Sequence, residues 1–357
     1  MATILELDNE QAYEAEVSQC VGTTGYHHWF FLSALADALG YEFRAFAVDS
    51  GGERLGVVPL LFRRSGPVST ANFLPVGCIG PLIRGEALRA GRICELLLGA
   101  EEALRRNRTV AARLAFSPGL HLSPEDLAIP KYEAFEWENF VVSAAKSVDD
   151  IWKSMSTGRR QSVRQTEKRG VTVSDSLPEE ITEWFPGEMS SLYEREGRIL
   201  AYNLSVVQSL AQRLAAHPRM LWRTAKGEDG TLYGMTASII GEDRLWGWQI
   251  VGPSVRSMSP HTLLHWDSIK WSRAHELAYD MGGVPSDGVR VMKHSLGAEP
   301  ETAVGVFRFR PSAAYKTATA LRNWGPVRDN WVRMRKIIGD LRADRAVRPR
   351  VSLAHSA

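Results

Sequence analysis

One lysine, Lys293, follows a glycine turn at Gly282-Gly283, and its type and place make it the natural cation for a reactive centre. The stretch that holds it runs from Trp246 to Glu299. It begins with the strand-like Trp-Gly-Trp-Gln-Ile-Val, and then Arg256-Ser257-Met258-Ser259-Pro260 opens a helical run to His275. Leu277–Met281 is a short strand, and a polar turn separates the glycines from Met292-Lys293 and Leu296-Gly297-Ala298-Glu299. Strand, turn, helix, strand and glycine turn in this order predict an α/β core with a ligand cleft where the sheet opens. His261 and His265 stand four residues apart on the helix, but the residues between them lack the glutamate of H-E-x-x-H, so no zinc site is specified.

A second stretch could meet an anion. Between residues 151 and 170 lie Lys153, Arg159, Arg160, Arg164, Lys168 and Arg169, opposed only by Glu167. Read as one helix capped by Ser147 or Asp149, positions 153, 160, 164 and 168 share a stripe at 3.6 residues per turn. Such a stripe suits a polyanion, whose condensed counterions are released on contact, and equally suits a solvated surface face. The segment from Lys316 to Arg350 is also basic, with Trp324, Trp331 and Ile338 giving it an apolar side, and it reads as an amphipathic helix.

These stretches need elements to hold them. The chain has 357 residues, enough for two domains, with an ordinary apolar content of 44% and a net charge of +2 that points to no polyanion partner by itself. Strands are expected at 3–7, 43–49, 55–62, 110–116 and 135–142, and helices at 26–39 and 87–105. Beyond a polar break at 143–149 come a strand at 171–173, helices at 179–196 and 205–216, and an antiparallel meander over 220–224, 232–240 and 245–251. The expected fold class is α+β, with mixed, mostly antiparallel sheets. The divisions are 1–145, 146–312 with the cleft, a basic helix over 313–345 and a disordered tail over 346–357. Cys20, Cys78 and Cys94 make neither a C-x-x-C nor an even set, and no apolar run approaches eighteen residues. A cytoplasmic protein with no integral membrane segment is expected.

The second half has the element order of a GNAT-type acyltransferase domain, and the chain as a whole resembles the FemAB/FemX-like peptidyltransferases. The resemblance is carried by His28-Trp29, Gly56-Val-Val-Pro-Leu60, Trp152 with Arg159-Arg160-x-x-x-Arg164-x-x-x-Lys168-x-Gly170-Val171, Thr262-Leu-Leu-His-Trp266, Tyr279-Asp280-Met281-Gly282-Gly283 and Lys293-x-x-x-Gly297-Ala298-Glu299. It implies two tandem GNAT-like domains with chemistry in a channel between them, and transfer of an amino acid from its tRNA ester to an amine. No cofactor is implied, since aminoacyl-tRNA is itself the donor substrate. Lys293 matches the family's lysine near the transfer site, and Asp280 to Gly283 its cleft-lining turn. Asp280 would orient the amine or take its proton.

Two departures qualify the resemblance. The helix start at Arg256 to His261 lacks the glycine-rich diphosphate loop of a CoA-using GNAT. Arg256 and Ser259 would there hold a single phosphate, which weakens an acyl-CoA donor without removing it. The turn after Trp29, Phe30-Phe31-Leu32-Ser33, lacks the lysine that pairs with acceptor phosphates in the wall-building branch. A small amine or peptide acceptor follows as the expectation, with a peptidoglycan precursor as the alternative. Its pocket is expected from Trp29, Tyr202, Trp246, Trp248, Gly282 and Gly283, with Arg195 as a phosphate-facing arginine. Lys153, Arg159, Arg160, Arg164 and Lys168 would meet the tRNA. The sequence leaves oligomeric state open.

Overall fold

The structure, a computed structural model, describes residues 2–73, 77–130, 132–195, 204–256, 258–284 and 286–309. Residues 1–309 form one compact unit. The expected basic helix at 313–345 and the tail at 346–357 lie outside the described residues, as does Tyr202.

The chain opens with β1 (Thr3–Leu7), α1 (Glu10–Val17), the short β2 (Cys20–Val21) and α2 (Trp29–Leu39), followed by the hairpin β3 (Glu42–Ser50) and β4 (Glu53–Ser65). The side chain of Asn9 caps α1 by accepting the Ala12 N–H. Next come β5 (Val68–Ala71), β6 (Leu82–Arg84), α3 (Gly85–Arg89), α4 (Ile93–Arg106), β7 (Thr109–Ala115) and β8 (Tyr132–Val142). The single helix expected over 87–105 is therefore two. Its break falls at Gly91, left-handed at φ 67°, after which Arg92 donates to the Ser50 carbonyl at the hairpin and pairs with Glu53 and Glu95.

The basic run also divides, into α5 (Val148–Ser154) and α6 (Thr157–Lys168). Ser147 caps the first helix, Met155 is extended, and Ser156 caps the second by accepting the Arg159 N–H. Lys153 thus stands on a different helix from Arg160, Arg164 and Lys168, so the expected stripe along one axis does not form. The chain continues with β9 (Thr172–Asp175), α7 (Phe185–Arg195), α8 (Leu204–Leu214), β10 (Met220–Lys226), β11 (Leu232–Ile240), β12 (Arg244–Val251), α9 (Pro260–Ala274), β13 (Ala278–Gly283), α10 (Asp287–Ser295) and β14 (Glu299–Phe309). Two of these were not foreseen. The expected polar turn before Lys293 is the helix α10, capped by Ser286, and β14 was not expected at all.

All the strands belong to one sheet, whose main path is β1-β3-β4-β5-β7-β14-β8-β13-β12-β11-β10-β9. Among the described residues only β5–β7 and β12–β13 pair in parallel, so the α+β, mostly antiparallel class expected from the sequence is what forms. The late strand β14 inserts between β7 and β8 and pairs antiparallel with both. Phe31, Leu35, Phe185 and Leu210 from α2, α7 and α8 pack with Trp222, Trp246 and Trp248 in one buried cluster drawing on both halves of the chain. Each fully buried Phe or Leu contributes roughly 1.5–3 kcal/mol, so this shared core ties the halves together. Separate clusters lie beneath α4 and beneath α9.

Candidate active site

The site begins where two parallel strands part. β12 and β13 pair only through Arg244↔Ala278, Leu245↔Tyr279 and Trp246↔Asp280, and beyond that point β12 continues to Val251 without its neighbour. On its other side, β12 shifts register against β11, and Trp248 falls opposite no residue. β13 also shifts against β8 between Asp280 and Gly283. The split opens a cavity of about 670 Å³ at the carboxyl ends of the parallel pair, the usual place for a ligand in such a sheet.

Lys293 lies in its wall although only 5% exposed. Its ammonium donates to the carbonyls of Met281, Gly282 and Gly283, at 2.5, 2.7 and 2.8 Å. All three protons are thus used to hold the turn that closes β13. Gly282 sits there at φ 76°, a left-handed conformation that costs a side-chain-bearing residue strain. Burial lowers the lysine to a pKa of about 8, with Asp280 opposing the shift.

Asp280 is 2% exposed. Its carboxylate accepts from Asn139 Nδ2 at 2.5 Å and from the Gly282 N–H at 2.7 Å, and Arg244 Nη1 stands 3.8 Å away. Burial wins over these donors and cations and raises its pKa to about 6. Behind it, Tyr279 and His265 share a hydrogen bond of 3.0 Å, and burial lowers His265 to about 3, keeping the ring neutral.

At another part of the wall stands Arg159, whose Nε donates to Ser295 Oγ at 2.9 Å and Nη1 to Thr262 Oγ1 at 3.1 Å. Among the described residues it has no carboxylate partner, and burial lowers its pKa. At the adjoining start of α9 two positions offer no amide: Pro260 has no N–H, and the Ser259 N–H donates to Thr166 Oγ1 at 3.0 Å. The Ser259 hydroxyl meets Thr262 and does not cap the helix.

Of the residues singled out from sequence, Lys293, Asp280, Gly282, Gly283, Trp246, Trp248, Arg159 and Ser259 line this one cavity. Trp29 does not. Its ring packs on Tyr13 and Phe43, because its backbone N–H is tied to Glu14 at the start of α2. Arg195 pairs with Glu188 and donates to the Gly252 carbonyl, and neither it nor Arg256 is in the lining. Arg160 donates to the carbonyls of Trp152, Lys153 and Met155, finishing α5, and Arg164 lies over the Trp152 ring at 5.4 Å. Lys153 and Lys168 point into solvent.

The first half also supplies wall residues that sequence reasoning missed, among them Tyr26, Cys78, Arg113, Trp137 and Asn139. One signal was available: Arg113 is the lone charge in the apolar strand Thr109–Ala115. The neighbouring histidines His27 and His28 point apart. His27 meets Thr24 and the Gly80 backbone, while His28 meets Glu14 and Arg219.

Residues 154–299 match the acetyltransferase (GNAT) domain family. No curated protein sequence matches the chain. Among solved structures, FemX superposes with a TM-score of 0.66 at 16% identity, over 84% of this chain and 96% of that one. A tandem GNAT protein from the clavulanic acid biosynthesis pathway gives 0.51 at 15%, over 87% and 100%. L-PGS from Bacillus licheniformis gives 0.51 at 15%, over 88% and 95%. No helix among the described residues is long and apolar enough to cross a membrane. Residues 154–299 thus match a GNAT acetyltransferase domain, and the fold of the chain is shared with FemX and with the tandem GNAT protein.

Proposed function

We propose that the protein is an aminoacyl-tRNA-dependent aminoacyltransferase that forms an amide on the amine of a small or peptide acceptor. The observation that carries this is the split between β12 and β13, which exposes a backbone edge beside a buried carboxylate titrating near neutrality. The donor ester is already activated, so alignment and charge stabilisation are what the protein must add, and alignment alone is worth roughly 7–11 kcal/mol in favourable cases. The acceptor nitrogen attacks the ester carbonyl carbon and its proton passes to Asp280. The C–O bond to the ribose then breaks, and the ribose oxygen leaves with a proton. A pKa of about 6 suits Asp280 to this exchange. Charge on the carbonyl oxygen is met by backbone N–H groups along Gly247–Ile250, the edge that has lost its β13 partner. Lys293 acts by holding the 281–283 turn and by its positive field.

The α9 start supports tRNA over CoA. With Pro260 and Ser259 withdrawn as donors, it is a poor cradle for a diphosphate, whereas Arg159 suits a single phosphate beside a terminal ribose. Two GNAT-like halves meeting near residue 145, in a cytoplasmic protein, complete this proposal. A second possibility, an acyl-CoA-dependent N-acyltransferase, is favoured by the GNAT match over 154–299 and by the β12 bulge. A donor screen separates the two, with charged tRNAs against acyl-CoAs and amine products read by mass spectrometry. Turnover that RNase treatment leaves untouched sinks the tRNA proposal.

A further inference from the structure

The cavity has a second carboxylate-free arginine. Arg44, Arg54, Arg223, Arg244 and Arg308 all face carboxylates. Arg113 and Arg159, both in the cavity wall, face none among the described residues. Arg113 lies instead over two rings, 5.2 Å from Phe135 and 5.8 Å from Trp137. An arginine over aromatic faces keeps its N–H fork available in the ring plane for an anion.

The two rings belong to a row. Trp137 stacks with Phe135 at 5.4 Å, Phe135 with Phe307 at 4.3 Å, and Phe307 with Phe73 at 6.3 Å, with interplanar angles between 18° and 28°. The row crosses β8 and β14 from the cavity wall at Trp137 to Phe73, which is 37% exposed. Gly305 makes room for it, since a Cβ there would stand 2.6 Å from the Phe135 ring and 2.7 Å from the Leu114 carbonyl. Partly exposed aromatics aligned beside an unpaired cation, and continuous with a cavity, are a recognition surface more than a core.

Resting on the acyl-transfer function above, we propose that Arg113 with Trp137, Phe135, Phe307 and Phe73 forms the acceptor subsite, taking an amine whose far part is a ring bearing an anionic group. The ring packs against the edge of the aromatic row at Trp137, the anion meets the Arg113 fork, and the amine reaches towards Asp280. Arg159 and Arg113 then divide the two substrates, one holding the donor's phosphate and the other the acceptor's anion. The ring can be a sugar or an aromatic, and the test separates these.

Isothermal titration of the full chain, without any donor, would compare glucosamine 6-phosphate and tyramine phosphate with glucosamine, tyramine and phosphoethanolamine. The expected result is at least tenfold tighter binding of one ring-plus-phosphate probe than of both its ring-only parent and phosphoethanolamine. Arg113→Met should reduce that preference to less than twofold, and Phe135→Leu should weaken binding while keeping it. Absence of binding by every probe, or a preference unchanged in Arg113→Met, overturns the proposal. If Arg113→Met does not fold by thermal melt, Trp137→Leu carries the test, and unaltered affinity there overturns it. Because no donor is present, intact probe binding alongside a failed donor screen would strike the donor assignment alone.

Discussion

The turn at Met281–Gly283 and the α5–α6 helix pair both concentrate charge, yet they use it in opposite ways. At the turn, one lysine and one aspartate are almost sealed from water, and every partner is a backbone group, an amide or an arginine. On α5 and α6, Lys153, Arg160, Arg164 and Lys168 sit at or near the surface. Arg160 and Arg164 are occupied with finishing a helix and covering Trp152. Burial, more than the number of charges, marks where a charge is costly enough to need a function. Arg159 shows this within a single helix. Next in sequence to Arg160, it turns inwards and meets only hydroxyls.

The contrast breaks most readily at Lys293. Lys293→Ala should cut turnover at least a hundredfold and, by leaving three carbonyls without a donor, lower stability by about 1–3 kcal/mol, read by kinetics and thermal melt. Normal turnover in a folded Lys293→Ala protein would remove the turn from the mechanism. Next in size, Asp280→Asn should lower kcat by about 10²–10⁴, the usual range for a general base. Its pH profile sharpens the point. Asp280, raised to about 6, is the active base only above that pH, and Lys293, lowered to about 8, loses its charge above that value. The wild-type rate should rise through pH 6 and fall beyond pH 8, and the variant should lose the acid limb.

A smaller effect is expected from Arg159→Gln, which should raise the donor KM about tenfold and flatten its salt dependence, as loss of one phosphate contact does. The smallest belong to the helix pair. Lys153→Ala and Lys168→Ala should change stability by less than about 0.5 kcal/mol, and donor KM by less than threefold. A larger KM effect there than at Arg159 would reverse the comparison.

Much of this is legible in the sequence. The Gly282-Gly283 turn and Lys293 follow from local pattern, Asp280 and the two tryptophans of β12 from the family resemblance, and the cavity gathers them. Short-range signals sufficed because strand, glycine turn and helix cap are read from neighbouring residues. The α5–α6 break was hidden, since Ser156 resembles any surface serine until it caps a helix. Trp29 misled because an aromatic suits a core as well as a pocket, and Glu14 decides between them.

Sequence by itself determined the class of elements and the run of residues that closes the cleft. These depend on side-chain period, on glycine and on proline, all properties of adjacent residues. Only tertiary structure decided that β14 would enter between β7 and β8, bringing Phe307 beside Phe135 and Arg113. Such pairings join residues more than a hundred positions apart, and no local pattern encodes them.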